Sequence, residues 1–146
     1  MAYLFDTNVF VRLARHNDPL RQICLEALRK LRSGNEVLCY TPQVLGEFWN
    51  VCTRPTTAAG GLGLSLEATE LKARVIERYF VLLPDNQETF REWRRLVVDH
   101  SVMGKVVHDA KLVASMHVHG VMSLLTFNGD DFKRYRNIIV VNPSDV

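Results

Sequence analysis

Tyr3-Leu4-Phe5-Asp6-Thr7-Asn8-Val9 decides the fold: three apolar residues, three residue types that cap helices well, then a return to apolar spacing. The stretch predicts a short strand that ends on a carboxylate and passes into a helix from about Val9. The same alternation continues outward. Asn17-Asp18-Pro19 opens a second helix, whose Leu20, Ile23, Cys24, Ala27, Leu28 and Leu31 share one face, and Ser33-Gly34-Asn35 ends it. Val37-Leu38-Cys39-Tyr40 predicts a second buried strand. Pro42 suits the first turn of a third helix, through Val44, Leu45, Phe48 and Val51. A loop with Pro55 and Gly60-Gly61-Leu62-Gly63 follows, within one domain, because apolar periodicity continues on both sides of it.

Ser65 begins a fourth helix with Ala68, Leu71, Val75, Ile76 and Tyr79 on its apolar face, and Phe80 to Leu83 is a short strand. Phe90, Trp93 and Val97 define a fifth helix. Ala110, Val113, Ala114 and Met116 define a sixth, closed by Gly120. Val121 to Thr126 and Ile138 to Val141 are the last strands. Strands that are nearly all apolar, alternating with helices, predict a mostly parallel central sheet with helices on both faces. The fold class is α/β, three-layered, and residues 1–146 read as a single domain.

With 146 residues, 47% hydrophobic and 23% charged, the chain can bury a proper core. No window approaches the roughly 20 apolar residues of a membrane-spanning helix, and the start lacks a basic stretch followed by an apolar one. A soluble, cytoplasmic protein is expected. Cys24, Cys39 and Cys52 sit among apolar neighbours without zinc-site spacing and read as buried free thiols. A net charge of +2 neither announces nor opposes a polyanionic partner.

In an open parallel sheet, ligands bind beyond the carboxyl ends of the strands. Asp6 follows the first strand, Thr126-Phe127-Asn128 the fourth, and Asp130 and Asp131 come just after. Taken singly, these residues also serve as a cap, a turn and first-turn charges. Glu47 and Asp109 are harder to place, since both lie in helical stretches with apolar residues close by, where an uncompensated carboxylate is costly. Carboxylates gathered at one sheet edge repel unless a hard divalent cation joins them. Such a cation polarises a phosphodiester and lowers the pKa of bound water, so the cluster points to metal-assisted phosphodiester hydrolysis.

Four segments then carry a resemblance: Phe5-Asp6-Thr7-Asn8, Leu45-Gly46-Glu47-Phe48, His108-Asp109-Ala110 with Leu112-Val113-Ala114, and Leu125-Thr126-Phe127-Asn128. In this order the chain resembles the PIN-domain ribonucleases, most of all the VapC-type toxins of toxin–antitoxin pairs. The resemblance implies an endoribonuclease in which Asp6, Glu47 and Asp109 hold Mg2+ (or Mn2+), with Thr7 and Thr126 as supporting hydroxyls. The family often has a fourth acid where this chain has Asn128, so Asn128 or Asp131 is left to fill that position. The resemblance also implies a cognate antitoxin protein and a homodimer.

Among basic residues, Lys105 stands one turn before Asp109 at helical spacing, and with Arg12 and Arg15 it is a candidate for RNA phosphates. Trp49 and Leu62 are candidates for an apolar groove that takes an antitoxin helix. His117 and His119, two apart on different helical faces, read as solvated or capping side chains. Two other functions compete. A haloacid-dehalogenase-like phosphotransferase needs a second aspartate two residues after the nucleophile, and Asn8 stands there. A non-catalytic RNA- or protein-binding domain of the same fold would not need Asp6, Glu47 and Asp109.

Overall fold

The computed structural model describes residues 1–146. Its elements are β1 (Ala2–Phe5), α1 (Thr7–Ala14), α2 (Arg21–Ser33), β2 (Val37–Tyr40), α3 (Pro42–Thr53), α4 (Leu66–Tyr79), β3 (Val81–Leu82), α5 (Gln87–Asp99), α6 (Val107–His119), β4 (Ser123–Leu125) and β5 (Ile139–Val141). Strands and helices alternate as the apolar spacing predicts. The sheet has the order β3-β2-β1-β4-β5 and every neighbouring pair is parallel.

That order fixes where a site can form. The chain builds outward from β1 through β2 to β3, then returns to the other side of β1 for β4 and β5. The direction of winding therefore reverses between β1 and β4, and a crevice opens at the carboxyl ends of these two strands. Phe5 is in register with Leu125, so the next residues, Asp6 and Thr126, lie side by side. Leu4, Phe5, Leu124 and Leu125 are fully buried, which holds both strand ends rigidly in one core.

Local chemistry sets the boundaries. Asp6 caps α1 by accepting from the Thr7 backbone N–H, so the helix starts at Thr7 and not at about Val9. Thr41 caps α3 through the Val44 N–H, with Pro42 in the first turn. Gly120 closes α6 in the left-handed region at φ 68°. In the glycine loop, a Cβ at Gly61 would lie 2.1 Å from the Pro55 carbonyl oxygen, so only glycine lets the chain pass there.

Some sequence expectations shift. On α4 the buried residues are Thr69, Ala73 and Ile76, while Leu71, Val75 and Tyr79 are exposed. The apolar stripe read there is wider than the face that packs. Of the run from Phe80 to Leu83, Val81 and Leu82 form the exposed edge strand, and the Leu83 N–H donates to the Tyr40 carbonyl beyond it. A separate 3-10 turn over Gly104–Val106 precedes α6, so Lys105 is on that turn and not on the helix. Cys24, Cys39 and Cys52 are free and buried, as read. No helix is long and apolar enough to cross a membrane.

Candidate active site

Asp6 sits at the end of β1, 8% exposed, inside a set of donors. The Thr7 N–H donates to its Oδ1 at 2.7 Å, and the Asn8 amide and the Thr126 hydroxyl donate to Oδ2 at 3.0 and 2.7 Å. Asn8 also donates to Thr126 Oγ1 at 3.0 Å and accepts from the Phe127 N–H at 3.2 Å, which ties β4 to the start of α1. Burial pushes the Asp6 carboxyl above its ordinary range, against the pull of the Thr126 and Thr7 hydrogen bonds, and the charge of Glu47 adds to the rise.

Glu47 comes from α3. The Thr7 hydroxyl donates to its Oε2 at 2.7 Å and Gln43, one turn earlier on the same helix, donates to Oε1 at 3.0 Å. The same Gln43 amide reaches the His108 carbonyl at 3.0 Å and so links α3 to the first turn of α6. Thr7 thus joins the first two acids: its N–H holds Asp6 and its hydroxyl holds Glu47.

Asp109 lies in the first turn of α6 and is treated differently. Burial pushes its carboxyl up to about 6, and the charges of Asp6, Asp131 and Glu47 push the same way, with His108 opposing. No hydrogen bond enters that balance. Asp131 stands on the exposed 3-10 turn Gly129–Phe132, outside the cavity lining but near enough for its charge to act on Asp109. Asn128 lines the cavity itself.

Asp6, Glu47 and Asp109 line one cavity of about 380 Å³ at the β1–β4 switch point, and Arg12, Arg15 and Asp18 line it with them. Arg12 Nη1 donates to both oxygens of the buried Asp18, at 3.1 and 3.2 Å, and its guanidinium lies 4.9 Å from the centre of the Phe127 ring. Arg15 donates to the Gly60 carbonyl at 2.7 Å, which brings the glycine loop to the cavity rim. Lys105, exposed on its 3-10 turn, is not among the lining residues.

Four carboxylates against two guanidiniums leave this lining with an excess of two negative charges, all on oxygen ligands. That donor set suits a hard divalent cation, which takes one or two carboxylates and keeps several waters. The acids are not closed into a ready-made cage, since no group of three His, Cys, Asp or Glu side chains stands at metal-holding distances.

A family model described as the PIN domain matches residues 3–138. The chain belongs to the PIN-domain family. Solved structures with the same PIN fold include VapBC-1 from nontypeable Haemophilus influenzae, at TM-score 0.72 and 16% identity over 99% of this chain and 99% of that one. FitAcB from Neisseria gonorrhoeae matches at TM-score 0.66 and 17% identity, again over 99% of each chain. Mycobacterium tuberculosis VapC20, described as a sarcin-ricin loop cleaving toxin, matches at TM-score 0.62 and 18% identity over 88% of this chain and 92% of that one. Among curated protein sequences, none matches.

Within this PIN domain, Asn8, Gln43 and Asp18 are the site residues that sequence reading misses. Asn8 reads from sequence as a capping type, a motif position and a departure from the phosphotransferase pattern, but not as the donor that binds Asp6. Gln43 had a local signal, its spacing of four from Glu47. Asp18 reads from sequence as a helix opener, and it does accept from the Leu20 N–H at 2.9 Å, but it also holds Arg12. His117 is a correction: its Nδ1 is 2.9 Å from Glu92 Oε1 and the ring is largely buried. His119, by contrast, reaches the Pro84 carbonyl at 2.9 Å as an end-of-helix contact.

Proposed function

We propose that this PIN domain is a metal-dependent endoribonuclease and the toxin of a type II toxin–antitoxin pair. The observation that carries this reading is the gathering of Asp6, Glu47 and Asp109 with Arg12 and Arg15 in one cavity at the sheet's switch point. Asp6, Glu47 and Asp109 would hold Mg2+, or Mn2+, through carboxylate oxygens. The bound ion supplies Lewis acidity toward a phosphodiester and a lowered pKa for bound water. Thr7 and Thr126, with Asn8 and Gln43, hold the acids in place, while Asn128, on the cavity wall, takes the fourth side of the site and Asp131 adds its charge from outside the lining. Arg12 and Arg15 receive RNA phosphate on the rim, Arg12 with its direction fixed by Asp18 and Phe127. Lys105, set apart on its turn, contacts RNA farther from the cleaved bond.

A polypeptide antitoxin is the proposed partner, in line with the toxin–antitoxin complexes among the structural neighbours. Trp49 and Leu62 do not line the apolar groove that best suits an amphipathic helix. That groove lies between α1, α2 and α4, lined by Phe10, Leu13, Leu25, Leu28, Val75 and Phe80. Val75, one of the exposed apolar residues of α4, lines this groove. The homodimer and the cytoplasmic setting belong to the same proposal.

The test is incubation of the purified chain with total cellular RNA, with and without Mg2+, followed by mapping of new 5′ ends. Discrete cleavage that stops with a chelator is expected. Turnover of a small phosphate monoester with RNA left intact would overturn the nuclease reading. Co-expression with the adjacent open reading frame tests the toxin reading separately: the neighbour should bind the chain and suppress cleavage.

A further inference from the structure

A second cavity of about 420 Å³ is lined by Arg95, His100, His117, Arg134, Tyr135 and Arg136, and no carboxylate lines it. The segment that supplies its arginines is built rigidly. Phe132, Tyr135 and Ile138 are buried at 1%, 5% and 9% exposure, while Lys133, Arg134, Arg136 and Asn137 between them face solvent. The Tyr135 ring packs edge-on against His100 at 5.0 Å, so Arg134 and Arg136 flank a fixed anchor.

The cations of this cavity differ in how they are compensated. Arg95 is paired with Glu92 and with Asp99 at 2.5 and 2.8 Å, and His117 contacts the same Glu92. Lys133, outside the cavity, is paired with Asp130 at 2.7 Å. Arg134 and Arg136 enter no ion pair. Two exposed, uncompensated guanidiniums held beside a fixed one attract a polyanion, and a guanidinium fork matches phosphate oxygens in pairs. The place is also connected to the acid site. Arg134 and Arg136 follow Asn128 by six and eight residues, and the phenol of Tyr135 is near enough to both Arg134 and Asp109 for each charge to act on it.

We infer that this cavity is a second phosphate-binding site, which holds the backbone of single-stranded RNA beyond the nucleotides engaged in the acid cavity. The inference rests on the reading of RNA as substrate. Arg134 and Arg136 make the contacts, the compensated Arg95 and His117 line the cavity beside them, and no base is read there. The exosite adds affinity for long RNA and none for fragments too short to span both cavities.

The experiment is fluorescence anisotropy of labelled RNA with the metal-free full chain in a chelator, so that binding is read without cleavage. A long single-stranded RNA and a trinucleotide are compared for wild type, for Arg134→Ala/Arg136→Ala, and for Arg134→Lys/Arg136→Lys. Both positions are exposed, and a melting curve checks that the variants fold. The alanine pair should bind the long RNA about tenfold more weakly, with a salt slope shallower by about 1.4, the value for two phosphate contacts on a single strand. Its trinucleotide affinity should match wild type, and the lysine pair should recover most of the long-RNA affinity. Wild-type affinity and salt slope for the alanine pair would overturn the exosite, as would an equal loss with the trinucleotide. Arginine-dependent binding by a chain that cleaves no RNA would sink the nuclease reading and leave the exosite standing.

Discussion

Asp6 and Asp109 are both acids of one cavity, and both carboxyls are raised above their ordinary range, but their settings are opposite. Asp6, at the end of β1, is supplied with donors from Thr7, Asn8 and Thr126, so its charged form is disfavoured by burial and partly rescued by hydrogen bonds. Asp109, in the first turn of α6, has burial and three neighbouring carboxylates against it and no hydrogen bond in its favour. The strand-end acid is part of the fold's own polar network. The helical acid is left with a need that the protein does not meet, and the proposed divalent cation would meet it.

The largest expected effect treats the two alike. Asp6→Asn and Asp109→Asn should each lower Mg2+-dependent RNA cleavage by about a hundredfold or more, the order found when a charge-stabilising group is removed. Full activity in either variant, measured by initial rates at saturating Mg2+, would take that residue out of the site.

Stability should then separate the two regions. Thr126→Val keeps the shape of a fully buried side chain but removes the hydroxyl that donates to Asp6 and accepts from the Asn8 amide and the Asn128 N–H. Leaving those groups unpaired should cost about 2 kcal/mol, read as a lowered denaturant midpoint without metal. An unchanged midpoint would mean that the donor set around Asp6 is not part of the fold's stability.

Asp109→Asn should do the reverse, and more weakly. A carboxyl raised from 3.8 to about 6 in the folded state binds its proton more tightly than in the unfolded chain. Its contribution to stability is therefore complete below pH 4 and is lost as pH rises through 6. The neutral amide escapes that loss, so the variant should be more stable than wild type by about 1 kcal/mol at pH 7, after discounting for partial solvent exposure. The gain should vanish near pH 4 and shrink when Mg2+ is added to the wild type. By the same titration, cleavage should climb between about pH 5 and pH 7 as Asp109 loses its proton.

The contrast between these regions also marks what the sequence makes legible. The end of β1 was readable because an apolar run stopped by Asp-Thr-Asn marks a strand that passes into a helix, and the order of strands and helices followed from apolar spacing together with capping, proline and glycine signals. Glu47 and Asp109 stood out because a carboxylate among apolar helix neighbours needs a reason. The partners of these acids were harder to see. Asn8 meets Thr126 across 118 positions of sequence, and Gln43 meets His108 across 65, so only the folded chain brings them together.

Lys105 shows the other kind of difficulty. A 3-10 turn and a first helical turn share local residue types, so its spacing from Asp109 did not distinguish them. On α4, Leu71, Val75 and Tyr79 have the period of a buried stripe, yet they are exposed, and Val75 lines the apolar groove between α1, α2 and α4. The periodicity is correct there, but periodicity alone does not say which apolar face the rest of the chain covers.

The most direct test of the central claim is an NMR titration of the Asp109 side-chain carboxyl, with and without Mg2+. The claim is that this acid is held in an unmet need for a cation. In the metal-free protein its midpoint should lie at about 6, and saturating Mg2+ should move it downward, since a bound cation favours the charged form. An Asp109 that titrates in the ordinary aspartate range and ignores Mg2+ would contradict the account.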